Sequence, residues 1–367
     1  MNTLLSDFVN YISLLILLYY LFKKNYLDVV QVVLLAITSA TPFFTFDFIF
    51  QKDSIYFGDA EFYRWSAQKA RFLNYDELYH SADIRWSAII YSFVPIPFLD
   101  SPNSLGFLCK FIFIILMAFC GGFLKINKIY ICLFILYPSA ILYTGIGTKD
   151  TLVLLIMTLF FVGIIRNYYV LMFISLFVLY TIKLQNAFFL VIILVSYKLF
   201  FSKNYKHFFI NLSLILFVSI PFLPRIIHFV SFKELNNLYL YFKYADGVIG
   251  TKPLTNNYEI IFDFFEGCFL FYFSPTLFNL NNLFQFIQFI ENIIVLSLVL
   301  FLFFVFLKKN IFRTLFWFSH LFFISGIYGL VVSNPGSLVR YKFTILLSYL
   351  IAITYDFELN NKTILNK

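Results

Sequence analysis

Apolar residues occupy this chain in long blocks, and each block is ended by a short polar or basic group. A helix needs about 20 such residues to cross a bilayer, and fewer when it is packed inside a bundle. The pattern predicts helical spans at residues 4–22, 29–50, 105–124, 129–143, 151–165, 168–182, 187–201, 208–227, 283–307, 312–332 and 341–355, about eleven in all. Two further apolar stretches, 88–98 and 260–280, are broken by Pro95, Pro97 and Pro275, and read as re-entrant or interfacial. The expected fold is therefore all-α, a polytopic transmembrane helical bundle.

The groups between the blocks set an orientation. Lys23 and Lys24, Lys125 and Lys128, Arg166, Lys203 and Lys206, Lys308, Lys309 and Arg313, and Lys362 and Lys367 all fall on one side, which the positive-inside tendency makes cytoplasmic. The opposite side receives the first large outward loop (51–87), the second (228–282), a corner at Lys149, a turn at Lys183, and 333–340. No internal repeat or linker divides the chain, so 1–367 reads as a single integral membrane domain. The first block has no basic residues ahead of it and Lys23 and Lys24 behind it, the reverse of a cleavable signal peptide, and is expected to be a retained span.

Composition agrees and removes some functions. At 61% hydrophobic and 13% charged residues, the chain has too little polar surface for a soluble fold of this length. The net charge of +8 follows from the basic loops and calls for no nucleic acid. Cys109, Cys120, Cys132 and Cys268 lie in apolar surroundings without CxxC spacing, so neither a disulfide framework nor a metal site is expected.

Charge beside lipid is costly and therefore informative. At Tyr137-Pro138-Ser139…Gly145-Ile146-Gly147-Thr148-Lys149-Asp150, Pro138 can kink or end one helix, the glycines let the chain turn, and Thr148 can cap the next helix. A helix N-terminus with Lys149 beside it suits a phosphate or pyrophosphate; alternatively Lys149 snorkels to the headgroups and Asp150 serves the helix dipole. Residues 58–72 have the pattern of an interfacial helix, with Phe62, Trp65 and Lys69 near one face and Arg64 among its basic residues. Asp59 and Glu61 at its start either favour the dipole or supply a general base for a sugar hydroxyl. Arg85 either binds phosphate as a planar fork or anchors the following segment to headgroups. Lys183, with Gln185 and Asn186, marks either a tight turn or part of a pocket. Arg340 and Lys342, flanking Tyr341 at the outer end of the last span, run against the positive-inside tendency, which a pyrophosphate held there would explain. The second loop and the span end leading into it mix Arg225, His228, Lys243, Asp246 and Glu259 with tyrosines, a mixture suited to a glycan or to an ordinary solvated loop.

Three of these features together, the acidic and aromatic Gly58-Asp59-Ala60-Glu61-Phe62-Tyr63, the Pro138-Ser139…Lys149-Asp150 corner, and Arg340-Tyr341-Lys342, resemble multi-span bacterial glycosyltransferases of the GT-C type. Among these the chain is most similar to Wzy-type polymerases of O-antigen or capsule repeat units. An arginine followed by ten residues and then a glycine, described for loops of some polymerases, is not found after any outward arginine here. The resemblance implies an enzyme of the bacterial inner membrane acting on undecaprenyl-pyrophosphate-linked oligosaccharides at the periplasmic face, with no cofactor. A flippase and a chain-length regulator of the same pathway would be its partners. The implied roles are proton acceptor for Asp59, Asp150 or Glu61, and pyrophosphate or glycan binding for Lys149, Arg340, Lys342, Arg85, Lys183, Tyr341 and Arg64. Alternatives are a GT-C transferase moving a single sugar from a polyprenyl-phosphate donor, a lipid-linked-glycan flippase, and a non-catalytic subunit of an envelope assembly. The orientation is directly testable: alkaline phosphatase fused after Tyr75 or Leu254 is expected to be active, and after Lys128 or Lys309 inactive. The reverse pattern would turn the candidate side to the cytoplasm.

Overall fold

The computed structural model describes residues 3–45, 58–79, 81–201, 257–277, 283–332 and 335–365. The span expected at 208–227, the end of 29–50, and most of the second outward loop lie outside these residues. The described chain is helical, with no strand. Its helices are α1 (Thr3–Lys23), α2 (Val29–Thr38), α3 (Pro42–Phe44), α4 (Gly58–Arg71), α5 (Ala82–Ser92), α6 (Ser104–Ala118), α7 (Lys128–Ile135), α8 (Pro138–Ile146), α9 (Asp150–Arg166), α10 (Tyr169–Ile182), α11 (Leu184–Phe201), α12 (Asn257–Phe273), α13 (Leu283–Leu307), α14 (Ile311–Val331) and α15 (Pro335–Leu365).

Among the described residues, six helices are long and apolar enough to cross a membrane: Thr3–Lys23, Ser104–Phe123, Leu184–Phe201, Gln285–Leu307, Ile311–Gly329 and Leu338–Asn360. α7 and α8 would make a seventh if counted as one broken span. The sequence pattern placed one span at 129–143 with a possible kink or end at Pro138. The two are bent by 56° at Leu136 and Tyr137, because Pro138 cannot donate to the preceding turn and takes the first position of a new helix. Residues 29–44 and 169–182 are apolar helices of shorter length.

The contacts group the chain into two compact units. The first is Met1–Ile165 with Phe177–Lys183 and Phe343–Lys367, and the second Arg166–Leu176 with Leu184–Lys342. In the first, α1 buries a polar face. Asn10 exchanges two hydrogen bonds of 3.0 Å with the backbone of Phe98, and Asp7 accepts from Ser101 and, at 3.1 Å, from Asn103. Arg71 donates at 2.7 Å to the carbonyls of Ile96 and Val94. The segment broken by Pro95 and Pro97 cannot satisfy its own carbonyls by helix formation, and these side chains do so instead. α5 accordingly stops at Ser92, before the prolines. α6 crosses α8 where both carry glycine: a Cβ on Gly106 would lie 2.0 Å from the Gly145 carbonyl oxygen.

In the second unit, α12 and α14 pack as closely, since a Cβ on Gly329 would stand 1.8 Å from the Gly267 carbonyl oxygen. Small residues allow such backbone approach between helices in lipid. α13 buries apolar Val295, Val299, Leu302 and Phe306 in its second half but carries a polar inner face in its first. It buries Gln288, Glu291 and Asn292 and exposes Phe286, Ile290, Ile294, Leu300, Phe301 and Phe304. An apolar outer face over a polar inner one is what lipid as solvent demands.

Gly106→Ala is expected to lower thermal stability in detergent by an amount matching about 1–3 kcal/mol, the range for overpacking a tight contact. An unchanged melting temperature would show that the α6–α8 crossing can open without cost.

Candidate functional site

The corner at the end of α8 is built from the chain reversal outward. Gly147 adopts φ +84°, a left-handed conformation that side chains rarely take, and ends the helix there. A Cβ on it would also lie 2.7 Å from the Leu105 carbonyl carbon, so α6 fixes the position of the turn. The Thr148 carbonyl then accepts from the Tyr91 hydroxyl at 2.7 Å and from Cys109 Sγ at 3.6 Å. These two donors tie the corner to α5 and α6.

Asp150 opens α9 with no exposed surface, and accepts from Thr148 Oγ1 at 2.9 Å and from Lys183 Nζ at 3.3 Å. Lys183 fills the single-residue break between α10 and α11 and is itself buried. Two residues nominated for different roles, Asp150 as base and Lys183 as substrate ligand, thus form a buried ion pair. Removing either partner would leave an uncompensated buried charge, a change that costs about 3–5 kcal/mol. Lys183 therefore neutralises Asp150 and fixes the start of α9.

Lys149, between these anchored residues, pairs with Asp83 in the first turn of α5. Asp83 also accepts from the Ser81 hydroxyl. This pair is less enclosed than the Asp150–Lys183 pair, at 14% exposure for Lys149 and 34% for Asp83. Burial alone would raise the Asp83 carboxyl, but the hydrogen bonds from Lys149 and Ser81 and the lysine charge outweigh it, holding it below the usual carboxylate range. The carboxylate's contribution to stability is therefore complete at neutral pH and is lost only as pH falls through that lowered value.

Arg85, two residues further along α5, is exposed and makes no ion pair among the described residues. α4 forms as expected, and within it Arg64 binds Glu61 at 2.7 Å and the Asp100 carbonyl at 3.2 Å. Arg64 and Glu61 are thereby brought together, with Arg64 also fastening the loop that follows the prolines. Asp59 begins the same helix, and its side chain lies outside the described atoms.

The remaining nominees belong to the second unit. Lys342 is buried and donates to Asn292 Oδ1 at 2.6 Å, while Asn292 donates to the Ser274 carbonyl at 2.8 Å. Tyr341 is half-buried with its ring 5.5 Å from that of Tyr328, whose hydroxyl bonds Asn186. Arg340 is half-buried in the same turn.

Sequence reading missed Asp83, Tyr91 and the α13 polar face. A serine two residues before an aspartate at the opening of an apolar helix was the available signal for Asp83. Gln288, Glu291 and Asn292 at i, i+3 and i+4 inside an otherwise apolar block mark one helix face. Lys110 was missed too: it is buried within α6 and donates to the Ile141 carbonyl at 2.8 Å.

Long apolar helices that enclose charged side chains define a helical membrane protein. Comparison with protein-family models, with curated proteins and with solved structures finds no match to the chain.

Proposed function

We propose that this protein is a glycosyltransferase of a bacterial inner membrane, with about eleven spans, that joins undecaprenyl-pyrophosphate-linked oligosaccharide repeat units into a surface polysaccharide at the periplasmic face. The observation that carries the proposal is the Lys149–Asp83 pair, a cation and a carboxylate held together at a rigid corner and still partly exposed. Transfer of a glycan from a lipid pyrophosphate needs both kinds of group. The acceptor hydroxyl loses its proton to a carboxylate as its oxygen bonds the anomeric carbon. The bond from that carbon to the pyrophosphate oxygen breaks, and its electron pair leaves with the pyrophosphate.

Lys149 is suited to the departing pyrophosphate. Asp83 joins Asp59 as a candidate proton acceptor. Asp150 is better suited to holding the corner, since Lys183 and Thr148 already occupy its oxygens. Further support is the resemblance of the three short motifs to Wzy-type polymerases, and the segregation of basic loops away from this corner.

A strain lacking the protein is expected to display surface glycan as a single repeat unit on its lipid anchor, because assembly and export of the unit continue without polymerisation. Loss of one sugar from within the unit would assign the protein instead to single-sugar transfer. Glycan chains of normal length would contradict both.

A further inference from the structure

The second unit holds an unbalanced set of hydrogen-bond donors inside its helices. Lys342 is 2% exposed and Gln288 4%. Lys342 lies seven residues into α15 and Asn292 nine residues into α13, roughly 10 Å and 14 Å along each helix from its first residue at the helical rise of about 1.5 Å per residue. Both positions fall within segments long and apolar enough to cross a membrane.

An ammonium group carries three donors. One is used on Asn292 at 2.6 Å, and the Phe271 ring, 6.0 Å from the nitrogen, gives only a weak cation–π contact. Gln288 stands one turn before Asn292 on the same face of α13, and its amide nitrogen has no hydrogen-bond partner among the described residues. Unmatched donors in an apolar interior are costly, and are retained where a ligand supplies the acceptors. A surplus of N–H groups around a cation calls for a ligand with several anionic oxygens. At membrane depth the chemistry that fits is a phosphoryl group.

We infer that Lys342, Gln288 and Asn292 form a phosphoryl-binding site in the second unit, separate from the Lys149 corner of the first. Glu291, next to Asn292 on α13, is near enough for its charge to act on the lysine. It balances the ammonium when no ligand is bound and opposes an arriving anion. This deepens the transferase reading, in which two lipid-linked substrates are held at once, and rests on that reading only for the identity of the lipid.

The test is native mass spectrometry of the full chain in detergent with undecaprenyl phosphate, phosphatidylglycerol or inorganic pyrophosphate, and undecaprenol as the phosphate-free control. Undecaprenyl phosphate is expected to bind, with affinity lowered about tenfold or more in Lys342→Gln, since a charge-assisted bond is lost. Gln288→Leu should weaken binding without removing a charge, which keeps the test decisive if Lys342→Gln fails to fold. Glu291→Gln should tighten binding several-fold, the opposite of what a purely structural polar cluster would give.

Equal dependence on Lys342 with phosphatidylglycerol would keep the phosphoryl site and assign it to bulk phospholipid. Competition by inorganic pyrophosphate would support recognition of the headgroup alone. Undecaprenol binding as well as its phosphate, affinity indifferent to Lys342 and Gln288, or weaker binding in Glu291→Gln would overturn the inference. Normal polymer length in the deletion strain, with this binding intact, would remove the transferase reading and leave the phosphoryl site standing.

Discussion

Moving a charge out of water costs several kcal/mol unless a partner follows it. In this chain that constraint acts on the few charged residues set among long apolar helices. The Asp150–Lys183 pair is the clearest response. Asp150 is fully enclosed, and its partner Lys183 sits in the single-residue break between α10 and α11. With Thr148 bonded to Asp150 on one side and to Tyr91 on the other, the whole turn is held. Lys149 is then carried on a fixed frame, and its partner Asp83 is the more exposed carboxylate of the two pairs.

That difference in enclosure separates a structural pair from a candidate site. A buried pair neutralises itself and has nothing left to offer a ligand. A partly exposed pair can exchange partners: an incoming anion can take the lysine, and the carboxylate, relieved of the charge that holds its proton affinity down, becomes a better acceptor. The second unit shows a different imbalance, with donors left over beside a buried lysine, and invites an anion for that reason. Elsewhere polar side chains serve the backbone. Arg71 and Asn10 satisfy the groups around Pro95 and Pro97, so the proline-broken segment can fold beside lipid without a helix of its own.

Much of the helical architecture was legible because lipid imposes a simple rule, an apolar block for each span. Thr3–Lys23 and Leu283–Leu307 lie within two residues of the segments expected from the pattern at both ends. The bend at Pro138 was legible as a possible break, but not its 56° angle, which depends on what α8 packs against. The corner was legible as a place where charge gathers, through its glycines, threonine, lysine and aspartate. Which charge meets which was not, because Asp83 and Lys183 are distant in sequence and their pairing is a tertiary fact. The α13 face was overlooked for a related reason: three polar residues in a strongly apolar block barely change its mean hydropathy, and only helical spacing shows that they share a side.

The most direct test of the corner separates a substrate site from a structural lock. Surface-glycan chain length and membrane abundance would be measured together in Lys149→Ala, Asp83→Asn and the exchanged pair Lys149→Asp with Asp83→Lys. Exchange restores the attraction between α5 and the corner but reverses which side presents the cation. If the pair meets substrate, the exchanged protein should reach normal abundance yet leave chains at one repeat unit, as both single variants do. Recovery of both abundance and long chains by the exchange would contradict a substrate role and leave Lys149 and Asp83 as a lock between α5 and the corner.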